Sequence, residues 1–193
     1  SFEAFYAHVP GLKVITPSNP ADAKGLLKAA IRDEDPVVFL ESEKMYGDKG
    51  EVPEGEYIIP IGVADVKRKG TDVTIVATGH LVWEALIAVE ALEAKGISAE
   101  VINIHTIKPL DDEAILKSVS KTGCIVTAEE HNILGGLGES VSRVLALNNP
   151  APQEFVAVND SFGESGTPAQ LMDKYKLNNQ AIVEAVEKVM KRK

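Results

Sequence analysis

Two histidines and a cluster of acids are the residues of this chain best suited to chemistry. His131 directly follows Glu129 and Glu130. An imidazole beside carboxylates can be held in one tautomer and serve as acid or base. His105 closes the apolar run of residues 101–104. Both stand at the carboxyl ends of expected strands, where ligands dock on open α/β sheets. Each has a plainer reading: His131 as an interface or loop-anchoring residue, His105 as a satisfied structural one. His8 and His80 carry weaker signals. The four histidines and single cysteine show no HxxxH, HExxH or CxxC spacing, which argues against a zinc site.

The glycines after His131 extend the pattern. Gly135, Gly136 and Gly138 could present backbone amides to an anion at a helix start. They could equally permit a tight strand-to-helix turn and close packing. The run is not a GxGxxG fingerprint, and no acid follows at ribose-clamp spacing. Ser161, Gly163, Glu164, Ser165 and Gly166 form a polar loop before a proline-initiated helix, a shaped surface or subunit contact. That loop lacks the GxSxG of a nucleophile elbow. Cys124 reads as a small core residue.

These residues need a scaffold, and period and punctuation supply one. Residues 12–16 are a short apolar strand. Asn19 offers an N-cap and Pro20 a pre-set first helical position. Ala23, Leu26, Leu27, Ala30 and Ile31 follow at helical spacing to about Arg32. Residues 37–41 form a second strand, and the charged, Gly- and Pro-bearing stretch 42–57 reads as a loop or linker. Beyond it, strands are expected at 73–78, 99–104, 124–127 and 155–158. Helices are expected at 80–95, from Asp111 or Asp112 to Ser120, and at 136–147, 168–175 and 179–193. Strands separated by single helices imply parallel pairing with right-handed crossovers. The fold class is therefore α/β, with a mostly parallel, doubly wound sheet.

Bulk properties narrow the function. With 193 residues, 45% of them hydrophobic, the chain can bury a core. A net charge of −9 argues against nucleic acid or an anionic membrane as partner. No apolar run approaches the ~18 residues of a membrane span. One cysteine excludes a disulfide framework and suits a reducing, cytoplasmic setting.

Four segments, GCIVTAEEHNILGGLG (123–138), TIVATGHLVWEALIA (74–88), VINIHTIKPLDDEAI (101–115) and VNDSFGESGTPAQLMDKY (158–175), resemble the C-terminal domain of transketolase. Residues 1–47, from SFEAFYAHVPGLKV to FLESEKMYG, resemble the β subunit of pyruvate and related 2-oxo-acid dehydrogenases. That resemblance carries to about residue 72, the transketolase one from 73 to 193. Both families lie in one thiamine diphosphate superfamily with one domain order, and a fusion near residue 72 would produce the mosaic. The implied organisation is a partial pyrimidine-binding domain (1–47), a linker (48–62) and a complete C-terminal domain (63–193). The start at Ser1 in mid-domain reads as a fragment.

The resemblance implies thiamine diphosphate and magnesium in the full enzyme, held mainly by parts outside this chain. No GDG-type diphosphate motif occurs here. It thereby favours the plainer reading of His131 and His105, and nominates no catalytic residue beyond those two. In the dehydrogenase β subunits a turn similar to residues 30–35 holds potassium, which nominates the carbonyl of Ala30, Asp33 and Asp35. Two substrates compete. A sugar phosphate needs cations near the end of the strand at 37–41, where this chain has Glu41 and Glu43 with only Lys44. The acidic ending favours a 2-oxo acid, with oxidative decarboxylation and acyl transfer to a lipoyl domain. Ketol transfer by a transketolase is the alternative, and a non-catalytic assembly module the alternative of another class. The implied partners are a second copy, as a homodimer, or an α chain, as an α2β2 heterotetramer.

Overall fold

A computed structural model describes residues 1–193. It begins with a short helix α1 (Glu3–Ala7) and strand β1 (Lys13–Ile15). Asn19 then caps α2 (Pro20–Arg32), its side chain accepting the Asp22 N–H at 2.8 Å, with Pro20 in the first turn. Strand β2 (Val37–Phe39) and a single 3₁₀ turn (Glu43–Met45) follow. Residues 46–64 contain neither helix nor strand.

The remainder alternates: β3 (Asp65–Arg68), β4 (Val73–Ala77), α3 (Leu81–Glu93), β5 (Ala99–Asn103), β6 (Thr106–Lys108), α4 (Asp112–Thr122), β7 (Ile125–Asn132), α5 (Leu137–Asn148), β8 (Gln153–Val158), α6 (Pro168–Lys174) and α7 (Asn179–Met190). A five-stranded sheet runs β3-β5-β4-β7-β8, parallel except for β3 on β5. Central strand β4 is buried along its whole length, and its side chains alternate between two apolar layers. Val73, Ile75 and Ala77 pack with Leu81, Val89, Ile182 and Val186 of α3 and α7. Val76 packs with Ile115, Val119 and Val141 of α4 and α5. Each layer hides a helix stripe that alone could not stay out of water.

Three features depart from the sequence expectation. Strand β3 is a charged, largely exposed edge, DVKR, with no apolar alternation to signal it. Strand β6 lies just past β5 and pairs antiparallel with β1, completing a second sheet, β2-β1-β6. The first segment therefore does not rely on two strands alone. Strand β7 does not stop at Thr127 but runs to Asn132, which pairs with Val158. Glu129, Glu130 and His131, expected just past the strand's end, are strand residues. Across the two sheets, Thr16 N–H donates to His105 O at 2.8 Å and Trp83 Nε1–H donates to Ser18 O at 2.8 Å.

Candidate functional site

Glu129 is 2% exposed on β7. Its carboxylate accepts the Leu137 N–H at 2.7 Å and the Gly138 N–H at 2.8 Å, the first amides of α5. Helix α5 has Gly136 as its cap and no side-chain cap of its own. The carboxylate thus does from a strand what a cap residue does locally, and it faces the positive end of the helix dipole. Of the three glycines, only Gly138 gives its amide to Glu129; the Gly135 N–H goes to Glu139 at 2.8 Å. The glycines also permit the approach: a Cβ on Gly136 would lie 2.3 Å from Glu129 Oε2, and one on Gly138 2.4 Å from Phe155. Burial pushes the Glu129 carboxyl up, against the two N–H bonds and His131, which hold it down.

His131 is 7% exposed, and both of its ring nitrogens have partners within the chain. Nδ1 is 2.6 Å from the Asn132 carbonyl, so it carries the proton, and Nε2 faces the Ala4 N–H at 3.4 Å. The ring therefore ties α1 to β7. His105 sits elsewhere, in the turn between β5 and β6. Its Nδ1 is 2.9 Å from Thr106 Oγ1 and its Nε2 is buried without a partner. Burial holds this imidazole below its ordinary value, against the pull of Asp22 and Asp65. Nearby Asp22 is 3% exposed and accepts from Ser18 Oγ at 2.7 Å and Asn103 Nδ2 at 2.8 Å. No hydrogen bond joins the two histidines; they belong to separate buried networks.

The turn after α2 already contains a cation. Lys13 Nζ lies 2.7 Å from Asp33 and 3.0 Å from Asp35. The Ala30 carbonyl accepts the Asp33 N–H at 3.3 Å, and Asp33 Oδ1 accepts the Asp35 N–H at 2.9 Å. Ala30, Asp33 and Asp35 are thus brought together, and the two carboxylates share one ammonium.

A cleft of about 450 Å³ lies at the carboxyl ends of β1, β2 and β4. Thr16, Thr78 and His80 line it together with Glu3, Glu41, Glu43, Lys44 and Glu130. Lys44 Nζ is 2.7 Å from His80 Nε2. Tyr46 donates its hydroxyl to Glu41 at 2.9 Å, and Glu41 and Glu43 push that phenol up. Sequence reading found Glu41, Glu43 and Lys44 but missed Thr16 and Thr78. Each is a strand-end threonine with no motif around it, and only the tertiary fold brings them to one cleft. The loop Ser161–Gly166 is exposed, and Tyr175 Oη donates to Phe162 O at 3.0 Å. Cys124 is fully buried, and burial pushes its thiol up, as for an unreactive core residue.

Residues 62–182 match the family described as "Transketolase, C-terminal domain", and residues 1–49 match "Transketolase, pyrimidine binding domain". The 2-oxoisovalerate dehydrogenase subunit beta of Bacillus subtilis (strain 168) is 45% identical over 190 residues, covering 96% of this chain and 58% of that protein. The pyruvate dehydrogenase E1 component subunit beta of the same organism is 49% identical over 152 residues, covering 78% and 46%. A solved structure described as a split gene transketolase, inactive beta4 tetramer, aligns with a TM-score of 0.90 at 38% identity, covering 98% of this chain and 61% of that one. The chain spans about half the length of the curated relatives it matches. One relative aligns across both segments, so a fusion near residue 72 is not needed to explain the sequence.

Proposed function

The chain belongs to the transketolase family, with its C-terminal and pyrimidine-binding domains, and from that premise we propose that it is a section of a 2-oxo-acid dehydrogenase β-type subunit. The whole enzyme would decarboxylate pyruvate or a branched 2-oxo acid oxidatively and pass the acyl group to a lipoyl domain. The observation that carries this reading is the 45% identity to a 2-oxoisovalerate dehydrogenase β subunit over nearly the whole chain. The acidic end of β2 supports it. Glu41 and Glu43 face the cleft with no lysine or arginine ion pair, and they would repel a phosphate dianion.

Transketolase activity is the second reading, favoured by the structural likeness to a split-gene transketolase. A non-catalytic assembly role is the third, and the exposed apolar residues described below suit it. In the first reading the chain joins an α-type subunit in an α2β2 assembly.

The family is thiamine diphosphate-dependent, and the cofactor with magnesium would be held mainly by parts outside this chain. The cleft's carboxylates oppose a diphosphate, and no three His, Cys, Asp or Glu side chains gather as metal ligands. The chain's own contribution is framework: Glu129 fixes α5, and the two sheets set the cleft between them. Co-expressing the complete subunit with an α-type subunit tests the proposal. Co-purification of both chains, with dye reduction dependent on a 2-oxo acid, is expected. A complex that forms but reduces no dye with any 2-oxo acid would overturn it.

A further inference from the structure

Several carboxylates outside the cleft are ion-paired. Asp33, Asp35, Glu56, Glu93, Glu100 and Glu154 each sit in an ion pair with a lysine or arginine. The four that line the cleft do not. Glu3 reaches only His131, at 4.0 Å, and its Oε2 is buried without a hydrogen-bond partner. Glu41 takes a tyrosine hydroxyl. Glu43 and Glu130 have no side-chain ion pair, although Lys44 lines the same cleft. That lysine turns instead to His80.

A second observation is independent of these charges. Thr16 is 7% exposed and Thr78 5% exposed, both line the cleft, and neither hydroxyl oxygen has a partner. Buried polar atoms are normally paired, so two unpaired hydroxyls beside an unpaired carboxylate mark a place where a partner belongs. Hydroxyl and carboxylate oxygens can all accept. A volume of about 450 Å³ admits a group the size of an arginine or lysine side chain.

We propose that this cleft binds a primary ammonium or guanidinium group, held by Glu3 and Glu43 and by the hydroxyls of Thr16 and Thr78. The cation would offset part of the carboxylates' charge and supply the donors that the buried oxygens lack. The proposal does not depend on which reaction the whole enzyme performs.

The test titrates the 193-residue chain with agmatine, which bears both cations, and separately with a capped lysine-containing octapeptide. Backbone amide shifts by NMR are the readout. Saturable binding is expected, with shifts centred on Thr16 and residues 78–80. Glu3→Gln/Glu43→Gln should weaken agmatine binding about tenfold. Thr78→Val, which leaves the net charge alone, should weaken it by a smaller factor. Glu93→Gln, which removes a carboxylate already paired with Arg68, should leave it unchanged. Tighter binding of the octapeptide would identify the cation as a partner protein's side chain, and tighter binding of agmatine would identify a free amine. Acetate shifting the same amides, or equal weakening by Glu93→Gln, would overturn the proposal.

Discussion

Glu129 makes sense of the glycines that follow it. Its carboxylate takes two amides of α5, and Gly136 leaves room for it to do so. Gly136→Ala should therefore lose about 1–3 kcal/mol, because a methyl in that space forces carboxylate and helix apart. Urea unfolding checks this, and a variant as stable as the parent would contradict it. Half of this was legible in the sequence. A glycine run between strand and helix announces a tight turn or an anion at a helix start. It does not announce that the anion comes from the preceding strand, because cap signals are read locally and this partner is tertiary. For the same reason His131 looked like a catalytic candidate: adjacency to carboxylates is visible in sequence, whereas its two committed nitrogens are not.

The helices were the most legible elements, because caps and period act over short distances. Asp111 is the clearest case: its side chain accepts the Ala114 N–H at 3.0 Å and the Ala64 N–H at 2.7 Å. Asp111→Ala should cost about 1–2 kcal/mol. Exposed Asp48 should tolerate alanine within roughly 0.5 kcal/mol. An Asp48 variant less stable than the Asp111 variant, by urea midpoint, would contradict this. Strands β3 and β6 were not legible. One is a charged edge, and the other is a three-residue continuation whose partner, β1, lies far back in the chain.

Packing of α7 carries a pH dependence of its own. Burial pushes the Glu154 carboxyl up, but Lys188 and Arg192 on that side of the fold outweigh it and hold it below its ordinary value. A carboxyl lowered in the folded state stabilises it above the unfolded-state pKa. That stability is lost as pH falls through the folded-state value. Stability should therefore drop as pH falls below the ordinary carboxylate range, and Glu154→Gln should flatten this part of the profile. Parallel pH profiles for parent and variant would contradict the assignment.

For the molecule as a whole, the sequence suggested association, and the surface supports that expectation. Phe2, Phe5, Tyr46 and Phe162 are exposed, Phe162 at 99%, and β2 is an outer strand of its sheet. Light scattering should find a dimer or larger species, and a stable monomer at high concentration would count against it. No helix is long and apolar enough to cross a membrane. A division into segments was expected from the charged stretch before Tyr57. The way they interlock, through β6 and the Trp83 indole, was not, because single long-range contacts leave no local pattern.

Substrate choice by the complete β-type subunit in its assembly tests the central claim most directly. Dye reduction with pyruvate or 2-oxoisovalerate should be compared with ketol transfer from a ketose phosphate to an aldose phosphate, using one preparation. The expected result is turnover of a 2-oxo acid with no transfer between sugar phosphates, consistent with unpaired Glu41 and Glu43 at the end of β2. Ketol transfer exceeding 2-oxo-acid turnover would contradict the account and make the chain part of a transketolase.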